Sequence, residues 1–444
     1  MFLCAKRVPC SGSALRFLTL VWSVLSVVVT MHAQTDPGVR GGPAGAGGAI
    51  AGLTVKEDKF FADGQTRFAE VDSVATGLGP RFNMNSCAGC HAHPASGGSS
   101  PATNPQVAVA PPGQFSNVSA FISSSGPVKE ARFKSDGGVH DLYTIVGLSG
   151  TPAGCTISQP AFAAHLASND VIFRIPTPTF GAGLIEAITE PTILSNVGIS
   201  KPFGITGHEN RNGNDGTLTR FGWKAQNKSL VIFAGEAYNV EQGVANELFP
   251  DERGEAGVPD PEVCKTVPAP SDHTNYELTQ PQSVASDAIG FANFMRFLAP
   301  PTPACTVGVD CSGSINNGSS LFDSTGCAIC HIRSMKTGNH STAALRFQTA
   351  NLFSDLLVHN MGALGDGIAQ GAAGLNEFRT APLWGVGQRI FFLHDGRTSD
   401  LLAAIEAHAN GGADTASEAD TVINNFNSLS AQQKQDILNF LRSL

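Results

Sequence analysis

Cys87-Ala88-Gly89-Cys90-His91 and Cys327-Ala328-Ile329-Cys330-His331 both read Cys-x-x-Cys-His. Two thiols at this spacing can add across the two vinyl groups of a haem, and the histidine that follows is then held under the iron as its proximal ligand. Two Cys-x-x-Cys pairs could instead make a tetrahedral Cys₄ zinc site. Zinc does not require the histidine that follows both pairs. The spacing therefore points to two covalently bound haem c groups, attached at Cys87, Cys90, Cys327 and Cys330, with His91 and His331 as metal ligands.

What fills the second axial position decides between an electron carrier and a reactive haem. For the second haem, His408 is the first candidate. Leu401, Ala404, Ile405 and His408 are spaced for one apolar face of a helix, which Ser399 could cap and Gly411-Gly412 could stop. Met361, in His359-Asn360-Met361-Gly362, is the rival metal ligand, and its thioether would raise the potential. For the first haem no second ligand stands out. His93 is too near His91 in the chain to cross to the far side; His140 and His165 are candidates, and an open position is the alternative. An open position would favour reaction with a small oxidant. Moving a proton between peroxide oxygens needs an acid–base group. Glu186, in the apolar, glycine-relaxed run Phe180–Ala187, and Glu241, in Tyr238–Gly243, are candidates for it, with His140. Either glutamate could equally be an ordinary acid paired with Arg220 or Lys224.

Around these residues the chain reads as mainly α, two c-type cytochrome-like domains with long irregular loop insertions and a few short strands. A polar helix is expected over 56–71, and a second from Asp287 to Leu298, capped by Ser286 and ended by Pro300 and Pro301. A last one runs from about Ala431 to Leu444, with Ser430 and Gln433 as its capping box. Residues 94–280 are rich in Gly, Pro, Ser, Thr and Asn, with apolar runs such as Val171-Ile172-Phe173 and Leu230-Val231-Ile232-Phe233 that suit short strands or helical turns. So much irregular chain is usually functional. The expected organisation is a flexible Gly/Pro/Ala-rich leader over 34–53, a first haem domain over 54–300 and a second over 319–444.

The chain has 444 residues, 42% hydrophobic and 15% charged, with a formal net charge of −9. Residues 1–33 hold Lys6, Arg7 and Arg16 and no acid, so the remainder carries −12, which argues against nucleic acid as a partner. The same residues resemble an export signal: a basic start, an apolar run from Phe17 to Thr30, and Met31-His32-Ala33 as a cleavage site. No other run is long enough for a stable membrane span. A periplasmic location is implied, and Cys155, Cys264, Cys305 and Cys311 then suit two disulfides. Cys305–Cys311 would close a short loop and leave Cys155–Cys264, although sequence permits three pairings.

A resemblance adds to this reading. Gly79-Pro80-Arg81-Phe82-Asn83, Ser86 to His91, Arg174-Ile175-Pro176-Thr177-Pro178, Arg220 to Gln226, Asn246 to Pro250, Arg379 to Trp384 and Phe392 to Arg397 resemble the bacterial di-haem oxidoreductase family over roughly 54–444. Its members are described as peroxidases and sometimes as thiol oxidoreductases. The resemblance implies two c-type haems and a redox role. The second half is similar, more distantly, to di-haem cytochrome c peroxidases: Pro382-Leu383, His394-Asp395-Gly396 and the helix from Asp400 match in order. The axial Met of their electron-entry haem falls at His408 here. Their displaceable distal His finds no counterpart between His93 and His140. The same resemblance raises a calcium ion between the domains as a further cofactor. Together these readings imply an exported di-haem peroxidase-like enzyme. Electrons would pass from a periplasmic electron-donor protein through the second haem to the first, where hydrogen peroxide or another small oxidant binds; Trp223 or Trp384 could bridge the irons. The alternatives are an electron-transfer cytochrome without catalysis, or an oxidase of a thiol or organic substrate.

Overall fold

The computed structural model describes residues 34–109, 121–138, 143–199, 201–254, 258–409 and 416–444. The export signal, His140 and the Gly411-Gly412 stop lie outside the described residues. Helices are the principal regular element, accompanied by five two-stranded antiparallel ladders among the described residues.

Helix α1 (Val55–Phe68) opens on a capping box, with the Thr54 N–H donating to Glu57 Oε2 at 2.8 Å and the Glu57 N–H donating back to Thr54 Oγ1 at 3.3 Å. Helix α2 (Leu230–Gln242) grows from the Leu230-Val231-Ile232-Phe233 run. Ser229 caps it, and Gly243 ends it in the left-handed conformation that glycine adopts without strain. Helix α3 (Asp287–Phe297) begins where expected but is not capped by Ser286, whose side chain makes no capping bond. Asp272 does that work instead: its carboxylate accepts the N–H groups of Asp287 at 2.7 Å and Ala288 at 3.0 Å. The second half contains α4 (Gly313–Thr325), α5 (Leu401–Glu406), α6 (Asp420–Ser428) and α7 (Ala431–Ser443). The Ser430/Gln433 box opens α7 as the sequence implied. Helix α5 is capped by Asp400 rather than Ser399, because the Asp400 carboxylate reaches the Ala403 N–H at 2.9 Å. It stops at Glu406, two residues short of His408.

Two helix crossings organise the chain. A Cβ on Gly64 of α1 would stand 2.3 Å from the Gly290 carbonyl oxygen of α3, and a Cβ on Gly318 of α4 would stand 1.9 Å from the Asp436 carbonyl oxygen of α7. Glycine alone permits either approach. Each crossing stacks phenylalanines behind a motif histidine. Phe68 lies 4.8 Å from Phe294 and 6.0 Å from His91; Phe322 lies 5.5 Å from Phe440 and 6.5 Å from His331. The core of the first crossing also takes in Met335, Leu345, Leu352 and Leu357, so residues 34–444 hold together as one unit.

Residues 34–53, expected as a flexible leader, form a strap. Asp36 pairs with Arg442 of α7 at 2.5 Å, the Arg40 N–H donates to Gly387 O at 2.8 Å, and the Ile50 N–H donates to Phe297 O at 2.7 Å. Gly/Pro-rich composition rules out regular structure but not anchoring contacts.

Four strands bear on the first motif: β1 (Arg81–Phe82) pairs with β3 (Tyr143–Thr144), and β2 (Glu130–Phe133) with β4 (Val171–Arg174). They sit on a satellite core of Phe82, Ala131, Phe133, Tyr143, Ile145 and Phe162, which the Cys155–Cys264 disulfide staples. Cys305–Cys311 forms the second disulfide, and the four motif cysteines are free thiols. Replacing Cys155 and Cys264 by alanine should cost about 2–5 kcal/mol of stability, because the disulfide closes a long loop. Denaturant unfolding measures the loss, and limited proteolysis should show first cleavage within 121–175, with 319–444 still protected.

Candidate functional site

Each Cys-x-x-Cys-His motif opens into its own cavity. The first, about 1020 Å³ counted to its open mouth, is lined by Cys87, Cys90 and His91; the second, about 1400 Å³, by Cys327, Cys330 and His331. The pairs therefore do not meet in a Cys₄ cluster, and among the described residues no group of three or more His, Cys, Asp or Glu is arranged to hold a bare metal ion. A calcium ion, raised only by the resemblance, finds no such cluster among the described residues.

The donors suit a haem in each cavity. The His91 ring donates through Nδ1 to Gly98 O at 3.0 Å, and the His331 ring donates through Nδ1 to Phe353 O at 2.9 Å. That bond fixes the tautomer and leaves Nε2 with its lone pair towards the cavity. Burial lowers the pKa of both rings, that of His331 to about 4, so both stay neutral and able to ligate. Burial pushes the thiols of Cys87 and Cys327 up to about 12, which keeps them protonated until they react. The Gln242 amide donates to Cys87 Sγ at 3.0 Å.

The first cavity has a charged wall that sequence reasoning missed. In the β2–β4 ladder, Glu130 lies opposite Arg174. Alternation then puts Glu130, Arg132 and Arg174 on the face towards the cavity, and turns Ala131 and Phe133 to the satellite core. Glu130 Oε2 accepts from Arg132 Nη2 at 2.7 Å, while Glu130 Oε1 is buried without a partner. Burial works against the charge on Arg132, but the Glu130 carboxylate outweighs it and the pKa is raised. Arg174 donates to Asp366 Oδ2 at 2.6 Å, and Lys224 Nζ meets Asp366 Oδ1 at 3.1 Å. The signal was the alternation in Lys129-Glu130-Ala131-Arg132-Phe133, whose meaning needs its partner strand.

Among the described residues His91 is the only imidazole lining this cavity. His93 turns away to Gln388 O at 2.8 Å, and His165 pairs with Asp170 and stacks on Phe133 at 3.9 Å. Neither lines it. Met84 and Met295 do: Met84 packs on Gly89, and Met295 lies one turn from Phe291, which packs on Phe68. Glu241 lines the cavity and accepts from Asn83 Nδ2 at 3.2 Å. Glu186 lines neither haem cavity. Its carboxylate takes the Leu230 N–H at the start of α2 and Arg296 Nε at 2.7 Å, so its ion-pair partner is Arg296 rather than Arg220 or Lys224. Arg220 instead donates to backbone carbonyls, among them Ile188 O at 2.5 Å.

The second cavity is lined by four imidazoles, His331, His359, His394 and His408, and by Met361. His408 donates through Nδ1 to Ala404 O at 2.8 Å, which leaves Nε2 facing in. It is close enough to His331 to help depress that ring's pKa, after burial. Both nitrogens of His359 are occupied, by Asp355 at 3.0 Å and Glu418 at 2.8 Å. His394 stacks on Phe378 at 4.3 Å and meets Trp223 edge-on at 6.4 Å, on the side towards Asp366 and Arg174. Trp223 lines both cavities, with its indole N–H held by Ile175 O at 3.0 Å; Trp384 lines a smaller cavity between them.

Burial acts against the Glu418 carboxylate, but the His359 hydrogen bond outweighs it and lowers its pKa to about 2. A depressed carboxylate stabilises the fold above its unfolded pKa of about 4.3 and loses that contribution as pH falls towards the folded value. Glu418→Gln should therefore flatten the fall in stability between about pH 4.5 and 2, worth roughly 2–3 kcal/mol in the parent protein. Denaturation midpoints measured across that range check it.

A scan against family models matches residues 152–444 to the family described as "Di-haem oxidoreductase, putative peroxidase". No curated protein matches the chain. Among solved structures, hydrazine synthase from Kuenenia stuttgartiensis is similar at 18% identity and a TM-score of 0.24, over 37% of this chain and 56% of that one. The chain thus spans little more than half of that relative's length. A MauG-like protein associated with microbial copper homeostasis is similar at 16% identity and a TM-score of 0.29, over 54% and 77%. A variant of the diheme peroxidase BthA from Burkholderia thailandensis is similar at 13% identity and a TM-score of 0.28, over 60% and 86%. The family match covers well over half of the residues and takes in the second motif: the chain belongs to the di-haem oxidoreductase family.

Proposed function

We propose that this chain is an exported c-type oxidoreductase that reduces hydrogen peroxide or a related small oxidant at the cavity of Cys87, Cys90 and His91. Electrons would come from a periplasmic donor protein by way of the cavity of Cys327, Cys330 and His331. The observation that carries the reading is the difference between the two cavities. The second offers His408 in the same cavity as His331, with its Nε2 free, which suits an electron-transfer haem held by two imidazoles. The first offers, among the described residues, no second imidazole and instead a buried acid beside two arginines. That contrast weighs against a carrier with two saturated haems.

A haem bound in the first cavity would supply redox-active iron able to react with a small oxidant. The chain supplies the rest. Cys87 and Cys90 would hold the ring by thioether links, and His91, oriented by Gly98 O, would ligate it. Glu130 Oε1, which has no partner, is placed to hold and return a proton. Arg132 and Arg174 favour negative charge developing on a bound oxidant. Glu241 is a second acid on the same wall. Trp223, shared by both cavities, is the aromatic group placed between them. The two disulfides support an oxidising compartment, and no helix among the described residues is long and apolar enough to cross a membrane.

Glu130→Gln should lower peroxide turnover about 10²- to 10⁴-fold with haem content unchanged, whereas Glu186→Gln should leave turnover per haem near the parent value. Equal activity in the Glu130 variant would remove this residue from the mechanism. Replacing His408 by methionine should raise the midpoint potential of one haem and leave the other in place. Electron paramagnetic resonance of the parent protein should show one high-spin and one low-spin ferric signal; two low-spin signals indifferent to peroxide would mean an electron carrier.

A further inference from the structure

Arg389 differs from the other buried arginines. Arg81 pairs with Asp260, Arg132 with Glu130, Arg174 with Asp366 and Arg442 with Asp36, and Arg220 donates to three carbonyls. Arg389 is only 8% exposed, yet its Nε and Nη2 have no hydrogen-bond partner. Arg379 stands with it. Its backbone N–H donates to Trp223 O at 2.9 Å and its Nε donates to Gly222 O at 3.0 Å, so the side chain is fixed beside Trp223. Among the described residues no carboxylate pairs with either guanidinium. Burial pulls both pKa values down to about 10, with no acid acting against it.

Both arginines line the second haem cavity and also a cavity of about 590 Å³ between the two haem cavities, together with Trp223, Trp384 and Thr177. A buried guanidinium without a counter-charge is unfavourable, and its planar fork of N–H donors matches a carboxylate. We propose that Arg379 and Arg389 form a carboxylate-binding cradle between the haem cavities, filled by a propionate of the second haem. This rests on the functional reading above. It adds a positioning and tuning role: the pair would hold the edge of the second haem towards Trp223 and offset the propionate charge. A small carboxylate from solution has the same chemistry and would use the same donors.

The test is redox titration of the haem-loaded protein across a range of pH, with and without sodium acetate, for the parent and for Arg389→Gln, Arg379→Gln and Arg389→Lys. Haem content is measured first by pyridine haemochromogen. Loss of the counter-charge leaves the propionate anion to favour ferric iron. The Gln variants should therefore lower the midpoint potential of one haem and move its pH dependence to higher pH, and the Lys variant should retain most of the parent value. Insensitivity to acetate alongside that shift identifies the propionate. A saturable acetate effect in the parent, lost in the Gln variants whose acetate-free potentials match the parent, keeps the cradle but assigns it to a solution carboxylate. Unchanged potentials, pH profile and acetate response in haem-loaded Gln variants overturn the cradle alone. A purified chain without haem overturns the functional reading and the cradle with it.

Discussion

Close helix approach at a glycine is the constraint on which both cavities depend. Where α1 meets α3 and where α4 meets α7, a single methyl group would collide with a backbone carbonyl. The approach brings Phe68 and Phe294, and in the other half Phe322 and Phe440, behind His91 and His331. The histidines gain their orientation from carbonyls of irregular segments, Gly98 and Phe353, but the firm wall comes from the crossings. Dense aromatic packing resists local collapse, so the space beside each motif stays open.

Chemistry differs between the halves because different segments cover each cavity. The second is closed by α5, α6 and the apolar residues of α7, and His408 reaches in just beyond the end of α5. The first is closed by a two-stranded ladder with charge on one face and phenylalanine on the other. Asp366 ties that ladder to the second half by pairing with both Arg174 and Lys224. A change to this buried trio would be felt at the first cavity even though Asp366 does not line it.

Much of the site was legible in the sequence because its signals are local. The motif spacing located both cavities, counting cysteines implied two disulfides and favoured the observed pairing among three, and the Ser430/Gln433 box opened α7. What was not legible depends on residues distant in the chain. Glu130 and Arg132 look like ordinary surface charges until β4, some forty residues later, turns them inward. Asp272 caps α3 from 15 positions away, which no local capping rule reveals. Glu186 drew attention by its apolar neighbours, yet those neighbours belong to the main core and its carboxylate serves α2 and Arg296.

The strap carries a consequence for assembly. Asp36 and Arg442 are 406 positions apart, and their pairing lays residues 34–53 along both helix crossings. A ribosome releases Asp36 long before Arg442 exists, so this clasp closes only after every other segment is available. Contacts of such separation form late and slowly. Until then the core that α1 and α3 share with Met335, Leu345, Leu352 and Leu357 must hold the two halves together without the clasp.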